Sequence, residues 1–375
     1  MPNYIAFAIP FFFLLIGIEL WAARARGLKT YRFNDSMADL SCGITQQVLL
    51  VFFAAGLVAT YSFLYDHYRL FTFSATSPWP WLIAFVAVDF FYYWWHRLSH
   101  EVNFLWAAHV VHHQSEEYNL SVALRQSVVT LFTILPFHLP LAFLGISPVV
   151  FITVDSFSTL YQFWIHTELI GKLGWFERVF NSPAQHRVHH AINPQYLDKN
   201  YAATLCVWDR LFGTYQEEVE LPVYGLVKPL ANFNAFWAQV HYWVELWEQA
   251  RTAERPLDRI KVWFMPPTFR GTGLQPHEPP KVDRALTVKH DPKLTTRLTV
   301  WLFAQLVFVL CGATALLFFA AQMTPVQRVA SAAIFLLTLA AAGGLMEKKR
   351  WAIPLEAGRL FALFALVGLW AGGVI

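Results

Sequence analysis

Charge is scarce in this chain: Asp, Glu, Lys and Arg make up 14% of its 375 residues, against about a quarter in an average soluble domain. Cysteine is scarcer still. Cys42, Cys206 and Cys311 are odd in number and far apart, which excludes a disulfide framework and a CxxC zinc or redox site. A basic stripe suited to nucleic acid is also missing; the formal net charge is only +3, with basic residues scattered between apolar runs as membrane topology distributes them. There is no GxGxxG turn after a strand, no P-loop and no CxxCH haem site, and the GTG at Gly271 to Gly273 is too short to replace them. Neither an internal repeat nor a low-complexity tail is present. Metal chemistry must therefore rest on histidine, and reducing power must come from outside the chain.

What is abundant is apolar sequence. At 56% hydrophobic residues and a mean hydropathy of +0.40, the chain is expected to be an all-α integral membrane protein, a multi-span helical bundle with a cytoplasmic helical histidine-rich domain. Residues 4–21 are apolar apart from Glu19 and are followed by Arg24, Arg26, Lys29 and Arg32. A signal peptide carries its charge before the apolar core, so this is a retained span whose far end is cytoplasmic. Further spans are expected at 44–65 and 79–95, then a hairpin of 120–144 and 148–165 that either crosses or re-enters, then 298–320, 329–346 and 351–375. The basic run Lys348, Lys349 and Arg350 agrees with this count of eight, and Arg328, in a short external turn, is the one dissent.

Four regions follow: N-terminal spans at 1–78, a histidine-box catalytic domain with its spans at 79–220, a cytoplasmic amphipathic helix and Pro-rich linker at 221–297, and C-terminal spans at 298–375. In the third, Phe233, Phe236, Trp237, Val240, Trp243, Val244 and Trp247 recur at helical spacing. Such a helix either packs on the domain or lies in the headgroup layer near a lipid entrance. Residues 266–292 read as an extended linker or lid.

Histidine is concentrated in two places, His96, His100, His109, His112 and His113, and far downstream His186, His189 and His190. Residues three and four apart share a helical face, so each cluster points two or three imidazoles at one place. Imidazole suits iron, zinc, copper and nickel. Eight such nitrogens exceed the needs of one ion, and two neighbouring ions with three or four each fit the count. His166, in QFWIHTE, is either a ninth ligand or a donor supporting one. His138 stands alone on an apolar run and reads as hydrogen-bonded packing, while His67, His241, His277 and His290 remain unassigned. Glu101 follows His100 directly and Asp89 lies seven residues before His96, on roughly its face; both could orient imidazoles or join the coordination sphere. Asp155, Gln162 and His166 share one face in the same way, although a buried Asp is equally often a structural partner of Arg or Tyr. Trp94, Trp95, Trp106 and Trp164 are either walls of a substrate slot or interface packing.

HRLSH, HVVHH and HRVHH, in that order and with membrane runs between them, resemble the three histidine boxes of the fatty acid hydroxylase / sterol desaturase superfamily of integral-membrane, non-haem di-iron oxygenases. The resemblance covers roughly 79–215 and extends to QFWIHTE, NSPAQHRVHH, KNYA at Lys199 to Ala202 and WDRLFGTY. HRLSHE, the MPPTFRG at 265–271 and three late spans look most like the alkylglycerol monooxygenase branch, which cleaves ether lipids with tetrahydrobiopterin as reductant. Ala202 departs from the glycine that many relatives carry after Asn-Tyr, which touches the local backbone and not the metal site. The resemblance implies two iron ions held by His96, His100, His109, His112, His113, His186, His189 and His190. Asn200, inside the KNYA match, joins Glu101 and Asp89 as a candidate catalytic residue. It implies hydroxylation or desaturation of a sterol, fatty acyl or ether lipid that enters sideways from the membrane, using O2 and electrons from a separate donor protein or a diffusible pterin. Two other classes compete. A zinc-dependent membrane hydrolase is disfavoured because Glu101 follows His100 instead of sitting within HExxH, and a metal transporter because its ligands would lie near the midplane instead of at span ends.

Overall fold

A computed structural model describes residues 4–74, 76–269, 282, 284 and 287–371. Thirteen α-helices appear among them, without a strand: α1 (Tyr4–Ala25), α2 (Phe33–Tyr68), α3 (Trp79–Glu101), α4 (Asn103–His109), α5 (Thr130–Phe143), α6 (Pro148–Trp164), α7 (Pro183–His189), α8 (Val207–Leu211), α9 (Ala235–Thr252), α10 (Pro256–Phe264), α11 (Thr296–Phe319), α12 (Pro325–Met346) and α13 (Ala352–Ala371). Four are long and apolar enough to cross a membrane: α1, α2, α11 with its following turn, and α12. Of the other four expected spans, α5 and α6 have 14 and 17 residues, below the roughly 20 that a crossing needs. Helix α3 is long enough, but its C-terminal half carries Asp89, His96, Arg97, His100 and Glu101.

Two boundaries differ from expectation, and both move polar chain into the fold. Helix α2 begins at Phe33, well before the apolar run at 44, and all but one of its buried residues lie between Asn34 and Val48. The polar side chains there are not a loop signal because they find partners: Asn34 donates to Asp291 at 3.0 Å, Arg125 pairs with Asp39 at 3.2 Å, and Gln46 donates to the Ser127 carbonyl at 2.9 Å. At 36 residues, α2 is about 54 Å long, so its first third stands inside the polar domain and the rest is left to cross a core of about 30 Å. The first arm of the hairpin, expected from 120, starts only at Thr130. Arg125 is the reason. Its guanidinium is drawn inward to Asp39, the Val111 carbonyl and Gln114, so 120–129 is a buried irregular segment with a single 3-10 turn at Val122–Leu124.

The hairpin reaches the connection between α2 and α3. Leu70 donates from its backbone to the Phe143 carbonyl at 2.7 Å, and Gly145, at φ +86°, lies so close to the Phe71 carbonyl that a Cβ would meet it at 2.0 Å. Tyr61, Val88, Leu141 and Phe151 pack this corner. A second core joins α2 to α11 and α12 through Val48, Leu302, Leu306, Val309 and Leu339. Helix α9 packs on the domain, with Leu246 and Ala250 against Ala107 and Val262, and leaves Trp237, Val240, Val244 and Trp247 exposed. Where it is described, the Pro-rich stretch is irregular, with a turn closed by Phe269 donating to the Pro266 carbonyl at 2.8 Å. In the same stretch Lys289 pairs with Glu117 at 2.6 Å. Residues 270–281, 283 and 285–286, with His277 and the GTG, lie outside the described residues.

Candidate metal centre

Nine histidines converge into two groups. His96, His100, His109, His113 and His189 form one, and His112, His166, His186 and His190 form the other; within each, the nitrogens lie within 4.8 Å of one another. The first box enters the first group whole, and each of the other two is divided between the groups. On an α-helix the i and i+4 side chains nearly coincide, whereas i+3 diverges to the other side of that direction, and the second box sorts its imidazoles in the same way although Val110–His113 is a 3-10 turn. Thus His109 and His113 enter the first group while His112 turns to the second, and His186 and His190 enter the second while His189 turns to the first. Each of these two boxes thus sends two imidazoles to one place, within the expected two or three, and the remaining one to the other. His166 arrives from the end of α6 and completes the second group.

Protonation is assigned by chemistry. A carbonyl oxygen only accepts, so an imidazole Nδ1 bonded to one must carry the proton and leave the Nε2 lone pair free. His96 donates in this way to the Tyr201 carbonyl at 2.8 Å, His112 to Arg125 at 3.0 Å, His166 to Gln162 at 2.7 Å and His189 to Lys199 at 2.9 Å. Their Nε2 atoms face inward. Nε2 pairs stand 3.2 Å apart for His109 with His113, His113 with His189, and His112 with His166, and 3.0 Å apart for His166 with His186. Two lone pairs at that distance repel unless something electrophilic lies between them. Ligands at right angles, each about 2.1 Å from one ion, are about 3 Å apart. The Nε2 atoms of His96, His100 and His190 are buried without any partner. Orphaned acceptors and paired inward nitrogens together fit metal ions. Burial also holds the imidazoles neutral: it lowers His112 to about 4 and His189 to about 3, and takes His113, His186 and His190 well below 6.5. Neutral imidazole is the form that binds metal.

The residues singled out beside the boxes lie around the groups and not in them. Asp89, on α3, accepts from the backbone of Thr204 at 2.8 Å, of Leu205 at 3.1 Å, and from Trp208 Nε1 at 2.8 Å. Asn200 is left-handed, at φ +57°, and bonds to the Gln185 carbonyl at 3.0 Å and to both backbone groups of Gln216 at 2.7 and 2.8 Å. It stands between Lys199 and Tyr201, the two carbonyls that hold His189 and His96. Glu101 accepts from Arg97 at 2.8 Å on the rim. Of the four tryptophans, Trp95 rests on His96 and His109, and Trp106 on His100 and His113; Trp94 and Trp164 pack on Phe212 and Phe176 instead. His138 lies in neither group and is 3.8 Å from Asp155.

Other supports carry no spacing signal. Arg125 presents the carbonyl for His112, and Asp209 holds the Tyr201 and Ala202 backbone at 2.8 and 2.9 Å. Arg187, inside the third box, is gripped by Glu218 through two contacts of 2.7 Å and donates to the Thr167 and Ile170 carbonyls, which fixes the chain after His166. The WD of WDRLFGTY was the only sequence hint of Asp209.

The fatty acid hydroxylase family model matches residues 81–214, a stretch that contains all nine histidines. The alkylglycerol monooxygenase of Xenopus tropicalis is 38% identical over 368 residues, 95% of this chain and 80% of that protein. That of Homo sapiens is 41% identical over 282 residues, 74% of this chain and 62% of that protein. An ornithine lipid hydroxylase of Rhizobium tropici is 30% identical over 146 residues, 36% of this chain and 44% of that protein. No solved structure matches the chain.

Proposed function

The chain belongs to the fatty acid hydroxylase family, whose relatives here include monooxygenases and hydroxylases of lipids, and from that premise we propose that it is a membrane-bound di-iron monooxygenase of alkyl ether lipids. The observation that carries the reading is the division of nine imidazoles, eight buried and that of His100 half-buried, into adjacent groups of five and four. Two irons fit better than one zinc, because five neutral nitrogens exceed the four that zinc takes. When bound, the iron pair supplies O2 activation and removal of hydrogen from an unactivated C–H bond. One oxygen atom enters the carbon next to the ether oxygen, the other leaves as water, and two electrons and two protons are consumed. The hemiacetal so formed falls apart to an aldehyde and a glycerol. A tetrahydropterin or a donor protein supplies the electrons, since the chain has no nucleotide or haem motif.

The chain's own work is to hold, orient and seal. The Nδ1 donors fix the ring planes of His96, His112, His166 and His189, Asn200 and Asp209 position the Tyr201 segment, and Asp89 ties α3 to the 204–208 turn; these are positioning roles. Trp95 and Trp106 cover the first group against water.

A cytoplasmic location is supported by the basic ends of the spans. Arg26, at the end of α1, donates to the Leu169 carbonyl near His166, and Glu347, beside the Lys348–Arg350 run, accepts from the Phe233 backbone at 2.8 Å. Both basic ends therefore lie on the histidine side, as the positive-inside rule asks of the cytoplasmic face. Helix α5 supports the depth. It is about 21 Å long, its tip meets the far connection, and at its start Thr130 donates to the Ala108 carbonyl at 3.1 Å. A lipid headgroup at the near interface would thus sit beside the histidines with its chain directed inward.

The test is metal analysis of purified protein together with oxygen uptake in the presence of an alkylglycerol and a tetrahydropterin. Two irons per chain and fatty aldehyde release are expected. One zinc, or uptake indifferent to the ether lipid, overturns the reading.

A further inference from the structure

Away from the histidines, a groove of about 640 Å³ opens where the middle of α2, the first half of α9 and the turn between α12 and α13 meet. Leu49, Val129, Val240, Trp243 and Trp351 line it, with Lys349 at its mouth. Its back wall is bare helix. A Cβ on Gly343 would lie 2.7 Å from Asn234, and one on Gly344 would lie 2.6 Å from the Trp351 ring, so the two glycines let α9 and Trp351 close in as flanks.

Local backbone geometry aims the basic run. Helix α12 ends with Lys349 donating to the Gly344 carbonyl at 2.9 Å and Lys348 to Leu345 at 3.1 Å, with Lys348 left-handed at φ +52°. This is the paired 6→1 and 5→2 closure of a Schellman turn. It fixes Lys349 relative to the groove. Glu347, the nearest carboxylate in sequence, is already engaged by the Phe233 backbone and by His290 at 3.2 Å. Among the described residues, Lys348, Lys349 and Arg350 make no ion pair. Uncompensated cations above an apolar slot, at the basic end of a membrane span, match a ligand with the reverse order of charge: an anionic head and an alkyl tail.

We propose that the groove holds a phospholipid whose headgroup carries net negative charge, its chain along Val240 and Trp243 and its phosphate on Lys349. This is a site separate from the metal centre. Gln239 forms part of the groove wall, where it accepts from the Val128 backbone at 3.0 Å and donates to the Gln126 carbonyl at 3.1 Å. The bound chain therefore lies against the segment whose Arg125 carbonyl holds His112.

The experiment is native mass spectrometry of the metal-loaded full chain, released from detergent with phosphatidylglycerol or phosphatidylcholine of identical chains, with inorganic phosphate as competitor. One phosphatidylglycerol per chain is expected to outlast phosphatidylcholine. Lys349→Gln should weaken retention about fivefold, the loss of one basic contact. Val240→Trp should fill the groove and abolish retention, while unchanged metal content certifies its fold. Equal retention of both lipids, indifference to both variants, or full displacement by inorganic phosphate overturns the proposal. Binding is read without turnover, so failure here is distinct from failure of the oxygenase reading.

Discussion

At the scale of single residues, the proton on an imidazole decides what the ring can hold. Four Nδ1–H groups are committed to backbone carbonyls, and the nitrogens left over are those that meet. His166 is the sharpest test, because it comes from outside the paired boxes. His166→Ala is expected to lower bound iron from two per chain to about one, the five-nitrogen group being intact; two irons retained by elemental analysis would remove His166 from the site. The histidines also predict the acid sensitivity of metal-free protein. In the unfolded chain they titrate near 6.5, whereas the folded protein holds His112 down to about 4 and His189 to about 3. Between those values the unfolded state binds more protons, so their contribution is complete above pH 6.5 and is lost as pH falls toward 4. The thermal midpoint of chelator-stripped protein should be level from pH 8 to 7 and drop steadily below 6.5. The spacing of the nine rings was legible in sequence; the carbonyls that orient them were not, since every residue carries one.

Single elements show why apolar runs misplaced two boundaries. A helix start rich in Asn34, Asp35 and Asp39 looks like a loop until the partners of those groups are known, and Arg125 looks like a defect in a span until Asp39 is placed opposite it. The pair is buried on both sides, so breaking it leaves an uncompensated charge, at a cost of about 3–5 kcal/mol. Arg125→Met should therefore lower the thermal midpoint and, by releasing the carbonyl that holds His112, release metal from the four-nitrogen group first. At the seam between α9 and α12, the close approach of Gly343 to Asn234 makes a second prediction. Gly343→Val should push the two helices apart and cost about 1–3 kcal/mol, seen as a lower midpoint with both irons retained, because Gly343 and Asn234 belong to neither histidine group.

On the scale of the molecule, the claim that remains to be measured is orientation. Lys228 is 77% exposed on the polar domain, and Cys42 and Cys206 are buried. In a Cys311→Ser background, Lys228→Cys should react with an impermeant maleimide only from the cytoplasmic side of sealed vesicles; labelling from the other side reverses the topology. The sequence by itself determined the class of the protein, its histidine ligand candidates and its family, because apolar runs and box spacing are local patterns that survive in one dimension. Only the tertiary structure decided which imidazole joins which group. Neighbours such as His112 and His113, or His189 and His190, point about 100° apart on a helix, and the site that each reaches depends on what the other boxes and α6 bring opposite it. The same is true of Asp89 and Asn200, candidates by position in the chain, which the fold sets to tying backbone segments around the centre.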